Sequence, residues 1–181
     1  MFASVSLWLQ LGQLAMLMKL YRESTLDPLT GLTNRRVLMK RLDKEIAQAN
    51  AFFILMFDLD KFKRVNDTYG HLNGDLVLVA MANIIKKEIR AKDIVARFGG
   101  EEFVAVLSGV SADEAALTAE RIRASCETAT IATNNGLSIK VTTSIGVTMH
   151  QLSDVLEITF NRADELLYQA KREGRNKVVC G

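Results

Sequence analysis

Ile94-Val95-Ala96-Arg97-Phe98-Gly99-Gly100-Glu101-Glu102-Phe103-Val104-Ala105-Val106-Leu107 is the stretch that decides the fold. Two apolar runs, residues 94–98 and 103–107, flank a double glycine whose backbone tolerates the positive φ of a tight hairpin. An antiparallel pair of strands is therefore expected here. Upstream, Phe52-Phe53-Ile54-Leu55-Met56-Phe57 is an unbroken apolar run, too short for an independent helix and suited to a strand covered on both faces. Helical spacing surrounds these strands. Leu38, Leu42, Ile46 and Ala49 mark a helix over residues 34–50, and Leu78, Met81, Ala82, Ile85 and Ile89 mark a second, with Asp75 near its start as a cap. Ala115, Ala119, Ile122 and Cys126 form the buried stripe of a third, opened by the capping-box pair Ser111 and Glu114. A last helix uses Val155, Ile158, Leu166 and Ala170 inward, residues 139–147 read as a strand, and Val178-Val179 as a short closing one. The order is helix, strand, helix, hairpin, helix, strand, helix, strand. It predicts an α/β (α+β) domain with a central mixed β-sheet flanked by helices, rather than a doubly wound parallel sheet.

The 181 residues are 49% hydrophobic, enough for one core and a short appendage, which excludes disordered and fibrous classes. With 23 Lys and Arg against 21 Asp and Glu the net charge is +2, so no polybasic field drives non-specific nucleic-acid or membrane binding. An anionic ligand has to be held by local groups. Cys126 and Cys180 stand far apart and outside CxxC spacing, which argues against disulfides or zinc and for reduced thiols in a cytoplasmic protein. Residues 1–18 carry no charged side chain, yet no basic residues precede them as a secretory signal requires. The run also falls short of the roughly 20 residues of a membrane span. Leu7, Leu11, Leu14, Met18 and Tyr21 follow alternating four and three spacing, the seam of a two-stranded coiled coil. Residues 1–24 are therefore read as an N-terminal helical stalk, with the end of a membrane segment and a buried packing helix as alternatives. The turn at Asp27-Pro28-Leu29-Thr30-Gly31 holds the only proline of the chain and sets the main domain at residues 25–181.

Chemistry concentrates at strand ends. Asp58 and Asp60 close the first strand, Glu101 and Glu102 follow the glycine turn, and pairing of these strands brings the carboxylates together. Such carboxylates repel one another unless a cation neutralises them, and hard oxygen ligands suit magnesium or manganese. Because magnesium takes few carboxylates and leaves room for substrate phosphates, the arrangement points to phosphoryl or nucleotidyl transfer. Any one of these acids alone is an ordinary solvated turn residue. Lys61, Lys63 and Arg64 follow the first aspartates, and Lys171, Arg172 and Arg175 lie near the end of the last helix, where cations also suit the dipole. Asn66 offers donor and acceptor to a base edge and Asp75 accepts from guanine NH groups, although a turn and a cap explain the same residues. His71, before a helix, equally serves as a local backbone partner.

Together these segments resemble the GGDEF family of diguanylate cyclases. Gly99-Gly100-Glu101-Glu102-Phe103 is similar to the signature in its GGEEF form. Asp27 to Arg36 resembles the family's DxLTGLxNRR entry, Asp58 to Asp75 its DxDxFKxxNDxxGHxxGD segment, and Ala170 to Asn176 its AKxxGRN close. The match runs in order over about residues 25 to 180. The resemblance implies a fold like the nucleotide cyclase and polymerase palm, and condensation of two GTP to cyclic di-GMP across a homodimer. It implies that Asp58, the Leu59 carbonyl and Glu101 hold Mg2+ or Mn2+, that Glu101 is the base toward the 3′-hydroxyl, and that Glu102 supports the site. Asn66 and Asp75 would read guanine with His71 near the nucleoside. Lys63, Lys171 and Arg175 would contact phosphates, with Lys63 positioned to stabilise the transition state. Arg90-Ala91-Lys92-Asp93 has the placement of the family's inhibitory product site, with Arg121 joining from the next helix; its plain alternative is an exposed i, i+3 ion pair. The expected partners are GTP, cyclic di-GMP, a second copy and a sensor segment upstream of this chain, with no nucleic acid. A cytoplasmic location follows, with any membrane tether lying upstream. The alternatives are a catalytically silent module that binds GTP or cyclic di-GMP, against which the intact glutamates count, and a different palm-like cyclase or polymerase.

Overall fold

The structure, a computed structural model, describes residues 2–133 and 136–181. Helix α1 spans Phe2–Thr25. Leu7 of the predicted seam lies outside the described side chains, whereas Leu11, Leu14, Met18 and Tyr21 are all exposed. Among the described residues no helix is long and apolar enough to cross a membrane.

After the Asp27 turn come β1 (Thr33–Asn34), α2 (Arg35–Ala47) and β2 (Phe52–Leu59). Asn34 caps α2 by accepting from the Val37 amide at 3.0 Å. Next are α3 (Phe62–Tyr69), α4 (His71–Glu88), β3 (Ile94–Gly99), β4 (Glu102–Ser108) and α5 (Ala112–Thr128). The chain closes with β5 (Ile131–Ala132), β6 (Ser138–Ile139), β7 (Thr143–Met149), α6 (Leu156–Arg172) and β8 (Val178–Cys180). The main sheet has the order β1-β3-β4-β2-β7-β8, with antiparallel pairing from β3 through β7 and parallel pairing at both outer edges. The expected mixed sheet is thus present.

Every residue of β2 is buried, because it lies in the middle of the sheet with helices over both faces. The period of two sorts its side chains. Phe53, Leu55, Phe57 and Leu59 join Phe103, Ala105 and Leu107 of β4 in one core with α4 and α5. Phe52, Ile54 and Met56 join Val104 and Val106 in a second, smaller core under α2 and α6. Phe52, Phe57 and Phe103 are wholly buried, each contributing roughly 1.5–3 kcal/mol of transfer free energy.

Four local expectations need correction. Residues 62–69, read as a turn around Asn66, form α3; α4 then starts at His71 after Gly70 (φ 82), so Asp75 sits in its second turn, exposed, and caps nothing. The strand over 139–147 is broken: β6 pairs only with β5 in a separate ribbon, and β7 begins at Thr143. The inward face of α6 is Thr159, Ala163, Leu167 and Ala170; Val155 is outside the helix, and both it and Ile158 are exposed. Gly146 of β7 explains that register, since a Cβ there would lie within 3 Å of the Ala163 carbonyl and the Leu167 amide. Small residues let helix and strand backbones touch. Finally, Ala49 lies past the end of α2 with positive φ (51).

Candidate active site

The alternation that builds the two cores also aims the carboxylates. Asp58, of the same parity as Ile54 and Met56, belongs to the α6 face and pairs across the sheet with Glu102. Lys171, in the last turn of α6, reaches Asp58 Oδ2 at 2.9 Å. Glu101 occupies the turn between β3 and β4 beside Gly100, the member of the glycine pair whose φ is positive (45). Leu59 is the last residue of β2 and is buried.

These acids resist ionisation. Burial pushes the Asp58 carboxyl up despite the opposing Lys171 ammonium. Glu101 and Glu102 are pushed up by burial and then by the Asp58 charge, with Lys171 again opposing. A hard dication would relieve the mutual repulsion. Among the described residues no three His, Cys, Asp or Glu gather closely enough to hold an ion alone. A site with one or two carboxylates, completed by backbone carbonyl and substrate phosphate oxygens, fits this donor set, and that is the habit of magnesium.

A brace holds the turn. Arg97 donates to the Gly100 carbonyl through Nε (3.0 Å) and a terminal nitrogen (2.8 Å), and its other terminal nitrogen lies 3.3 Å from both Asp27 oxygens. Asp27 in turn accepts from the Thr30 amide (2.8 Å) and hydroxyl (2.7 Å). Burial alone would raise its pKa, yet the Thr30 hydrogen bonds and the Arg97 guanidinium hold it below the usual carboxylate range. The turn after the stalk and the glycine hairpin are therefore one unit. Reading residues 27–31 only as a turn missed this, because the partner of Asp27 lies seventy residues away.

Asp60 does not join the carboxylate group. Its oxygens accept from Ser144 (2.7 Å), Thr142 (2.7 Å) and the Asn176 amide (3.0 Å), so it ties the end of β2 to β7 and to the loop after α6. Arg175 and Asn176 in that loop both have positive φ, 68 and 49.

Asn66 lies on α3 against Gly74 of α4, where a Cβ would collide with its side-chain oxygen and approach Phe62 Cζ to 3.3 Å. Asp75 follows Gly74 and is exposed, as are Lys63 near the start of α3 and His71 at the start of α4. The helix pair thus presents Asn66 beside the backbone that carries Asp75.

Arg90, Asp93 and Arg121 line a separate cavity of about 150 Å3 between the α4–β3 link and α5. The expected alternative, an Arg90 to Asp93 ion pair, is not formed. The Arg90 guanidinium turns to Glu114 (3.5 Å), Arg121 donates to the Glu88 carbonyl (2.9 Å), and Asp93 Oδ2 accepts from the Arg90 backbone amide (3.1 Å). Asp93 Oδ1 is buried and has no hydrogen-bond partner among the described residues.

The family model described as "Diguanylate cyclase, GGDEF domain" matches residues 24–177. The chain is 40% identical over 156 residues to the diguanylate cyclase DgcP of Pseudomonas aeruginosa, covering 84% of this chain and 23% of that protein. It is 42% identical over 160 residues to the diguanylate cyclase DosC of Escherichia coli, covering 86% of this chain and 35% of that protein. The chain therefore spans about a quarter to a third of these curated relatives. Among solved structures, the coiled coil and GGDEF domain of DgcB from Caulobacter crescentus, in complex with c-di-GMP, is similar with TM-score 0.90 at 29% identity, over 98% of this chain and 96% of that one. The diguanylate cyclase SiaD of Pseudomonas aeruginosa, in complex with its activator SiaC, is similar with TM-score 0.85 at 39% identity, over 99% of this chain and 70% of that one.

Proposed function

The chain belongs to the diguanylate cyclase GGDEF-domain family, and from that premise we propose that it condenses two GTP into cyclic di-GMP and two pyrophosphates. The observation that carries the proposal is the pairing of Asp58 with Glu102, next to Glu101 in the turn and Lys171 at 2.9 Å. In each of two equivalent steps a 3′-hydroxyl oxygen bonds to the α-phosphorus of the other nucleotide. The bond to the bridging oxygen breaks, and pyrophosphate leaves with the electron pair. Glu101 takes the hydroxyl proton. Magnesium or manganese held by Asp58, the Leu59 carbonyl and Glu101 would supply Lewis-acid polarisation of the phosphates. Glu102 buttresses this group, and Lys63, Lys171 and Arg175 offset phosphate charge. Asn66 and Asp75 read guanine, with His71 near the nucleoside.

Residues 1–24 act as a coiled-coil stalk for the domain at 25–181 and bring two copies together, a reading supported by the likeness to a coiled coil with a GGDEF domain. The cavity at Arg90, Asp93 and Arg121 takes cyclic di-GMP as an inhibitor. In support, the orphan Asp93 Oδ1 needs a donor, and guanine NH groups supply one. A cytoplasmic location suits both GTP supply and the free thiols. The test is to incubate the purified chain with GTP and magnesium and identify the product by mass spectrometry. Cyclic di-GMP is expected; GTP binding without product would reassign the chain as a silent binding module.

A further inference from the structure

A second cavity, of about 530 Å3, opens on the flank of α3 away from Asn66, between α3, the link from β6 to β7 and the loop after α6. Val65, Ile139 and Val141, all buried, form its floor. Its rim is cationic: Lys61, Arg64, Lys140 and Arg175 are exposed around it. The two carboxylates in its wall are already committed. Asp60 accepts the three hydrogen bonds described above, and Glu127 accepts from Arg123 (2.9 Å) and from the Asn176 side chain (2.7 Å). Among the described residues none of the four rim cations is within ion-pair distance of a carboxylate. Like charges around one concavity repel unless an anion enters, and hydrogen bonds from such cations to phosphate oxygens are the strong, charge-assisted kind.

Arg175 makes the position informative. It belongs to this rim and stands one turn's length beyond Lys171, the residue paired with Asp58. We infer that the cavity takes a small polyphosphate anion, namely the pyrophosphate released at the neighbouring carboxylates, at a site distinct from them. The identity of the ligand rests on the proposed nucleotidyl transfer; the charge arrangement does not. Leaving pyrophosphate passes from Lys171 and Arg175 to Lys61, Arg64 and Lys140, and this removes it from the centre where it would otherwise reverse the reaction.

The experiment is a calorimetric titration of the full chain with pyrophosphate in magnesium-free, low-salt buffer, run on wild type, Arg64→Ala/Lys140→Ala and Lys171→Ala. The double variant is expected to bind about tenfold or more weakly, Lys171→Ala to stay within about twofold, and binding to weaken as salt rises. No binding by wild type, equal loss in the double variant and Lys171→Ala, or loss in Lys171→Ala alone would each overturn the separate site. Should the double variant fail to fold, Lys140→Glu changes an exposed side chain and is expected to show the same loss. In turnover assays the double variant should keep the wild-type initial rate and be inhibited more strongly by added pyrophosphate. A wild type that makes no cyclic di-GMP yet shows the expected titrations would remove the nucleotidyl-transfer reading and leave the anion site standing.

Discussion

Asp58 and Asp60 are two residues apart and chemically identical, yet their surroundings differ. Asp60 accepts three hydrogen bonds at 2.7, 2.7 and 3.0 Å, so its charge is satisfied inside the fold. Asp60→Ala should destabilise by about 3 kcal/mol or more, since hydrogen bonds to a charged group contribute roughly 1.5–3 kcal/mol each and the Ser144 hydroxyl left behind is buried. Glu101 is a different case. Its folded proton affinity is raised by burial and by the Asp58 charge, so ionisation costs stability. That cost is absent below the ordinary carboxylate range and fully present once the pH exceeds the raised folded value. At neutral pH without metal, Glu101→Gln should therefore melt no lower than wild type, and a little higher, while cyclic di-GMP formation falls about 100-fold or more. Calorimetric melts and initial rates test both statements; a marked drop in melting temperature would contradict the electrostatic account. In the sequence these aspartates look alike, because which one meets donors depends on β7 and on the loop after α6, more than eighty residues away.

At the scale of elements, the sheet was legible because the buried strands announce themselves: unbroken apolar runs, a glycine pair, and a capping box at Ser111 that forms as expected. The errors share a cause. Helix α3 has only eight residues and buries only Phe62 and Val65, too few to register as a periodic stripe. The inward face of α6 is set by the glycine it rests on rather than by its largest apolar side chains, so Thr159 and Ala163 are inside while Val155 and Ile158 are outside. The Arg97 brace was invisible for a similar reason, since it joins residues seventy positions apart. Removing it tests whether the glycine turn needs external support. Arg97→Ala and Asp27→Ala should each lower turnover about tenfold with little change in the KM for GTP, since the brace orients Glu101 without facing the base pocket. In the double variant the losses should fall short of additive, with a coupling of about 0.5–1.4 kcal/mol, because both changes break one network. Fully additive losses would show that the two residues act separately.

For the molecule as a whole, the decisive feature is that one chain carries a single set of reacting groups while the proposed product contains two nucleotides. In the proposed reaction each copy would present one GTP, so the α-phosphorus held by one would have to meet the 3′-hydroxyl held by the other, and the encounter frequency would depend on how the copies are linked. Helix α1 is suited to that linkage: Leu11, Leu14, Met18 and Tyr21 recur along it and are about half or more exposed. A seam along this helix raises the local concentration of one domain about the other. Specific activity should accordingly climb with protein concentration and level off where the stalk dimer saturates. Deleting residues 1–22 leaves the Asp27 to Arg97 brace and both cores in place, so GTP binding and the melting temperature should hold. The activity curve should move to higher protein concentration by about tenfold or more, in line with the effective concentration a short linkage provides. Sedimentation velocity over the same range supplies the check, because the rise in activity and the rise in dimer must coincide. Full specific activity from a truncated protein that sediments as a monomer would rule out catalysis across two copies, and with it the role assigned to the stalk.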